Sequence, residues 1–104
     1  MKIKIILTTT DSKKTANEIA ECLVKDNLSP CVQIVPHIKS VYKFKNKLVK
    51  SGEILLLIKT IHEKVQDCHK SILMYHNYDV PELIVIDFDI LNAAYSDWFI
   101  DYFH

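Results

Sequence analysis

The sequence has almost no glycine and no arginine. Gly52 is the single glycine among 104 residues, and all 13 basic residues are lysines. A P-loop or a G-x-G-x-x-G dinucleotide turn needs several glycines for close backbone approach to phosphate, so both are excluded. The planar guanidinium that best recognises guanine edges and carboxylates is also missing. No apolar run approaches the ~20 residues that span a bilayer, so we expect no membrane partner.

The charges of the chain are unevenly distributed although the formal net charge is zero. Residues 1–50 carry a net charge of +6 and residues 51–104 carry −6. An opposed split of this size indicates that the halves fold against each other or against another copy, rather than a basic tail for nucleic acid. The length predicts one domain, residues 1–104.

The cysteine content indicates a reducing compartment. The chain has three cysteines, an odd number, and they are widely spaced: Cys22, Cys31 and Cys68. No C-x-x-C motif is present. We expect buried thiols that act as small hydrophobic groups in the cytoplasm. The alternating lysines and isoleucines of residues 2–5 do not resemble a signal peptide, which agrees with a cytoplasmic location.

Hydrophobic periodicity predicts the element order β-α-β-β-α-β-α. Strands are predicted at residues 2–9, 31–35, 53–60 and 83–88. Helices are predicted at 16–24, with residues 10–12 supplying its caps, at 61–72, and after the N-cap Asn92. Residues 38–50 are predicted to form hairpin arms with a turn at Asn46–Lys47, and Thr60 with Glu63 fits a capping box for the second helix. This order predicts an α+β fold, the ferredoxin-like split β-α-β sandwich with an antiparallel sheet and a short C-terminal helix.

Five motifs in this order resemble the divalent-cation tolerance (CutA-type) family. The most specific is HNYDVPEL at residues 76–83, which is similar to the family's His-Pro-Tyr-x-x-Pro-Glu-aliphatic segment. The other four are CVQIVP at 31–36, SVYKF at 40–44, LIKT at 57–60 and YSDWF at 95–99. The resemblance covers essentially the whole chain.

The resemblance implies a cytoplasmic, PII-like homotrimer in which strands extend between subunits. It also implies a role in the response to divalent metal ions, with copper binding in some members and no family-wide enzymatic reaction. An unidentified protein partner is a further implication.

Four positions depart from the family pattern at its functional segments. Asn77 replaces the loop proline, which would loosen the backbone beside His76, and Phe44 replaces a tryptophan. Thr8 and Tyr75 stand where some members carry a cysteine and a second histidine thought to hold copper. A hydroxyl is a poor ligand for soft copper. We therefore expect no obligatory cofactor and only weak binding of copper(II) or another divalent metal.

The densest polar cluster of the sequence comprises His76, Tyr78, Asp79 and Glu82. Imidazole and carboxylate groups suit a divalent ion, with His76 and Asp79 as candidate metal ligands. The same groups could serve a small-ligand cleft, or acid–base work if burial shifted their pKa values. The alternative is structural, with Tyr78 and Glu82 bracing a loop at a subunit boundary.

The resemblance extends this cluster into a ligand-binding cleft between subunits. Its predicted lining is Cys31, Lys59, His76, Tyr78, Glu82 and Trp98. Each of the added residues also has a structural interpretation: Cys31 as an inert thiol, Lys59 as the partner of a carboxylate, and Trp98 as part of a helix face on the sheet.

The stretch of residues 39–50 contains five lysines and no acid, with Tyr42 and Phe44 between them. Lysines and aromatic residues can bind single-stranded nucleic acid, but the RNP1 pattern is absent. We therefore predict that Tyr42 and Phe44 pack in a trimer interface and that nucleic acid is not a partner.

Three functional hypotheses follow. The leading one is a non-enzymatic trimer whose intersubunit clefts hold a metal or a small ligand. The alternatives are a small hydrolase or isomerase that uses His76 and Glu82 as acid and base, and a purely structural trimeric scaffold.

Overall fold

The computed structural model describes residues 2–104, and this part of the chain contains four strands and three α-helices. The elements are β1 (Ile3–Thr10), α1 (Lys13–Lys25), β2 (Cys31–Phe44), β3 (Lys47–Ile61), α2 (Val65–Tyr75), β4 (Ile84–Asp87) and α3 (Ala93–Asp101), with a single 3-10 turn at His62–Lys64. Met1, which belongs to the predicted domain of residues 1–104, lies outside the described residues. None of these helices is long and apolar enough to cross a membrane.

The four strands form one sheet in the order β2-β3-β1-β4 with antiparallel neighbours throughout. Helices α1 and α2 are the two crossovers of a split β-α-β arrangement. The predicted ferredoxin-like α+β fold is confirmed.

The core lies between the helices and one face of the sheet, which we call the helix face. Strand residues at every second position are buried there because side chains alternate between the two faces. The fully or almost fully buried members are Ile6, Ala16, Ile19, Leu23, Leu56, Ile58, Cys68 and Ile72. The local cap signals hold: Ser12 Oγ accepts from the Thr15 N–H, and Asn92 Oδ1 accepts from the Ala94 N–H.

The predicted capping box at Thr60 is wrong. Thr60 pairs with Lys4 inside the sheet, and its buried hydroxyl donates to the Leu28 carbonyl at 2.6 Å. Strand β3 therefore continues to Ile61, and α2 begins only at Val65, after the 3-10 turn. The Thr60 hydroxyl, which the local pattern predicted to cap the helix, makes a tertiary hydrogen bond instead.

Strands β2 and β3 extend beyond the rest of the sheet as a long hairpin. Its turn is Lys45–Asn46, both left-handed with φ of 49° and 64°, as a two-residue type I′ turn requires. The predicted turn at Asn46–Lys47 is one residue late because Lys47 already pairs with Phe44.

A β-bulge lies at the root of this hairpin. Val35 pairs with Leu55 and Ile38 pairs with Glu53, so Pro36 and His37 together oppose one residue of β3. His37 has a φ of 62°. Strand β2 therefore passes through Pro36, where the sequence had predicted an end.

The face of the sheet opposite the helices, which we call the open face, is only partly covered. Ile5, Leu7, Leu55 and Leu57 alternate with the core residues and are half-buried. On strand β3, Leu56 and Ile58 of the helix face are fully buried, whereas Leu55 and Leu57 of the open face are not. Helix α3 anchors through Phe99, which is fully buried and meets Phe88 edge-to-face at 6.1 Å between ring centroids.

Candidate functional site

Three consecutive residues fix the loop between α2 and β4 to the sheet, two of them to the end of β1 and the third to β3. His76 is the first of them. Its Nδ1 accepts from the Tyr78 N–H at 3.0 Å, and its Nε2 lies 2.9 Å from the Thr9 carbonyl oxygen, to which it donates. These partners place the ring proton on Nε2, so the imidazole is held neutral. Burial lowers the pKa of His76, which acts in the same direction.

Asn77 compensates for the missing loop proline with two side-chain hydrogen bonds. Its Oδ1 accepts from the Thr10 hydroxyl, and its Nδ2 donates to Asp11 Oδ1 at 2.7 Å. The expected loosening of the backbone beside His76 is therefore opposed by two contacts to β1 and the residue after it.

Tyr78 connects the loop to β3. Its hydroxyl donates to Glu53 Oε2 at 2.6 Å, and Glu53 is only 9% exposed. Burial, followed by the bond to the Glu53 carboxylate, raises the pKa of the Tyr78 phenol. The phenol consequently stays protonated and supplies a donor to a carboxylate that has lost most of its contact with water.

A cavity of about 400 Å³ opens beside this pair. It is lined by Thr9, Tyr42, Phe44, Glu53, Tyr78, Val80 and Glu82. The structure thus brings together two sets that the sequence had assigned to different roles, namely the hairpin aromatics and the loop residues. Glu53 is the component that the sequence analysis missed, because its partner is 25 positions away and its only local signal was a carboxylate at the start of an apolar strand.

The remaining predicted cleft residues lie at the opposite end of the sheet. Cys31 pairs with Lys59, and the Ser29 hydroxyl lies within hydrogen-bond distance of both carbonyl oxygens, 2.6 Å from that of Lys59 and 3.0 Å from that of Cys31. The Lys59 ammonium lies 5.8 Å from the centroid of the Tyr95 ring, and the Tyr95 ring lies 5.4 Å from that of Trp98. Lys59 follows Glu53 by six positions on β3, which is about 20 Å at the rise of an extended strand. Within one chain the predicted lining therefore forms two separate half-sites.

The arrangement gives little support to a metal centre. Asp79 is exposed, and His76 has both ring nitrogens engaged with the backbone. Thr8 Oγ1 lies 3.3 Å from His76 Nε2, so the position of the family's cysteine is indeed next to the ring, but a hydroxyl occupies it. Among residues 2–104 no three His, Cys, Asp or Glu side chains are close enough to share an ion.

The three thiols differ in their surroundings. Cys68 is fully buried, as predicted for all three, and burial raises its pKa to about 11. Cys22 and Cys31 are only half-buried. The thiol of Cys68 therefore stays protonated at neutral pH and packs as a small apolar group of the core.

The fold and this site define a class: a ferredoxin-like α+β protein with a polar cavity where the α2–β4 loop meets the long hairpin. The family model described as CutA1 divalent ion tolerance protein matches residues 4–101. The chain belongs to this family, as the sequence motifs indicated.

Individual relatives of the chain carry the same family name. The divalent-cation tolerance protein CutA of Thermus thermophilus is 34% identical over 95 residues, which is 91% of this chain and 92% of that protein. The chloroplastic protein CutA of Arabidopsis thaliana is 31% identical over 94 residues, which is 90% of this chain but only 52% of that protein. The chain thus spans about half the length of the plant relative. The crystal structure of CutA1 from Oryza sativa superposes with a TM-score of 0.93 at 29% identity and covers all of this chain and 95% of that one.

Proposed function

We propose that the protein is a non-enzymatic divalent-cation tolerance protein that works as a cytoplasmic homotrimer, with small-ligand clefts between its subunits. The observation that carries the proposal is the open face of the sheet. Ile5, Leu7, Leu55 and Leu57 remain half-buried, and the edge strand β4 exposes 44% of both Ile84 and Ile86. A contiguous apolar face of this kind is typical of an interface between copies.

The hairpin extends this apolar face beyond the rest of the sheet. Tyr42 pairs with Val49, and Phe44 with Lys47, on the same side as Glu53 and the open face. Tyr42 is 47% exposed and Phe44 is 59% exposed. Two aromatic rings on a projecting arm are well placed to pack against a neighbouring subunit.

A head-to-tail trimer would also complete the ligand cleft. One half-site offers the Glu53–Tyr78 pair and Glu82, and the other offers Lys59 beside Cys31 and Trp98. In a cyclic assembly, one end of each subunit meets the other end of the next. The acidic half-site of one copy would then face the lysine of its neighbour, and a small polar ligand could bridge them.

The geometry does not favour the enzymatic alternative. An acid–base role for His76 and Glu82 needs a ring nitrogen that can exchange a proton with the substrate. Both nitrogens of His76 are committed to backbone groups of the loop and of β1. We therefore assign His76 the role of holding the loop in place, and expect only weak binding of copper(II) or another divalent ion.

The interface is tested by light scattering and native mass spectrometry over a wide protein concentration range. We expect a trimer for the unmodified chain, weakened by Phe44→Asp on the open face of the hairpin. Leu48→Asp is the matched control, because Leu48 is 70% exposed on the other face of the same hairpin. A monomer at all concentrations, or equal effects of the two variants, would contradict the trimer.

The cleft is tested by isothermal titration of metal-free protein with Cu(II), Zn(II) and small anions. We expect saturable binding of at least one of these, and any anion binding should be lost in Lys59→Met. If none binds more tightly than about 1 mM, which corresponds to roughly −4 kcal/mol, the ligand part of the proposal fails and the purely structural scaffold remains.

A further inference from the structure

A second and larger cleft lies on the helix face, at the root of the hairpin. It has a volume of about 540 Å³ and lies between the start of α1 and the β2 bulge. Ala16, Ile34, Pro36 and Ile54 give it an apolar floor, and Lys13 and His37 contribute polar groups at its edge. The cleft is on the opposite side of the sheet from the Tyr78 cavity, so it is separate from the proposed trimer ligand site.

The chain's single glycine forms part of the wall of this cleft. Gly52 does not have a positive φ, and a Cβ built on it would have no other heavy atom within 4 Å. Neither backbone conformation nor close packing therefore explains the glycine. The four residues that do have positive φ, Asn27, His37, Lys45 and Asn46, are not glycine. A glycine inside a strand costs stability and often marks the approach of a ligand, and here its missing side chain keeps the cleft open.

Three lysines in the cleft and its approach outnumber the two carboxylates of its lining, Asp11 and Glu53. Lys13 lines it directly. Lys39 pairs with Gly52, and Lys50 pairs with Val41. This register places both lysine side chains on the helix face of the hairpin, beside the cleft. Within residues 2–104 the salt bridges involve Lys4 and Lys14, so these three ammonium groups are not neutralised by an ion pair.

Two carboxylates also border the cleft, and each accepts a hydrogen bond from an uncharged donor, which occupies one oxygen but leaves the charge in place. Asp11 accepts a hydrogen bond from the Asn77 amide. Glu53 accepts from Tyr78 on the open face. The groups that suit an anionic ligand are the ammonium groups, the His37 imidazole and the apolar floor.

From this arrangement we propose that the cleft between α1 and the hairpin root binds a small organic anion with a flat apolar body. The body lies over Ala16, Ile34 and Ile54 in the space left by Gly52, and the anionic group meets Lys13 with Lys39 and Lys50 close by. Phosphate and carboxylate share this chemistry, since either can accept charge-assisted hydrogen bonds from ammonium groups.

The single glycine also provides the assay. Selective 15N-glycine labelling yields one amide resonance, that of Gly52, which reports directly on the cleft wall. We expect a saturable shift of this resonance on titration with 2-naphthyl phosphate or 2-naphthoate, and the tighter of the two identifies the preferred anion. Neutral 2-naphthol should bind at least tenfold more weakly, since it lacks the charge.

Variants keep the proposal falsifiable. Lys13→Gln should raise the Kd about tenfold, the scale of one lost charge-assisted hydrogen bond. Lys14→Gln removes the same charge from the next position, where the side chain is 87% exposed and pairs with Glu18, and should leave the Kd unchanged. Gly52→Leu should abolish binding, as measured by calorimetry, without unfolding the chain because its side chain enters open space; Trp98 fluorescence checks that the variant is folded.

Three results would overturn the proposal: no saturable shift up to about 10 mM probe, equal binding of 2-naphthol, or unchanged binding in folded Gly52→Leu. None of them bears on the trimer or on the Lys59 cleft, which lie on the other face of the sheet.

Discussion

Replacing Tyr78 by phenylalanine should remove a buried, charge-assisted hydrogen bond and little else. The phenol donates to Glu53 Oε2 at 2.6 Å, and the carboxylate is only 9% exposed, so water cannot readily replace the lost donor. A hydrogen bond to a charged group is worth about 1.5–3 kcal/mol, and we take about 2 kcal/mol for Tyr78→Phe. An unfolding entropy of about 2.1 cal/mol/K per residue converts this cost into a fall in Tm of about 9 °C for a chain of this length.

The assay is urea and thermal unfolding at fixed protein concentration, since self-association makes Tm depend on concentration. Tyr42→Phe is the matched control, because Tyr42 lines the same cavity but is 47% exposed. Tyr42→Phe keeps the ring that the proposed interface buries and removes only an exposed hydroxyl, so it should change the free energy of unfolding by less than about 0.5 kcal/mol.

A double-mutant cycle separates the charge from the hydrogen bond. Glu53→Gln keeps an acceptor opposite Tyr78 but removes its charge, so Tyr78→Phe should cost only about 1 kcal/mol in that background. The reasoning is refuted if Tyr78→Phe costs no more than Tyr42→Phe, or if its cost is the same with glutamate and glutamine at position 53.

Two further predictions concern residues whose hydrogen bonds hold β1, the loops and β3 together. Burial lowers the pKa of His76 below its ordinary value of about 6.5, so near that pH the unfolded chain binds more protons than the folded chain. The stability that neutral His76 contributes is therefore complete above about pH 6.5 and declines as the pH falls towards the folded-state pKa. Urea unfolding between about pH 7.5 and 5 should therefore show a shallower loss in His76→Gln, and parallel curves for the two proteins would exclude this origin. Thr60→Val keeps the side-chain shape but removes the donor to the Leu28 carbonyl, and should cost about 1 kcal/mol because the Cys68 thiol still donates to that oxygen at 3.5 Å. A cost below about 0.3 kcal/mol would show that the thiol replaces the hydroxyl completely.

The sequence predicted those features whose causes are local. Ser12 and Asn92 cap their helices as expected because each acts on an amide two or three residues away. The capping box at Thr60 failed because the decisive partner of its hydroxyl, Leu28, is 32 residues away. Alternation and apolar content likewise predicted the strands and their order, since those signals repeat along each segment.

The candidate site could be predicted only in part, for the same physical reason. The motif at residues 76–83 located the loop, but a single chain cannot reveal from its sequence that Tyr78 reaches Glu53 or that the hairpin aromatics line the same cavity. The register of the hairpin decides these contacts, and a shift of one residue would turn every side chain to the other face. The bulge at Pro36 and His37 sets that register, and no local pattern in the sequence announces it.

The register also changes the meaning of the charge split. The opposed charges of the two halves suggested that assembly neutralises the basic hairpin, but only the Lys4–Asp87 salt bridge joins the two halves within residues 2–104. Lys39 and Lys50 lie on the helix face, whereas Tyr42 and Phe44 lie on the open face that the proposed trimer would bury. Assembly through the aromatic side would therefore leave these ammonium groups exposed to solvent. Salt should screen them without dissociating the trimer, and their charge remains available to a small anion at the root of the hairpin.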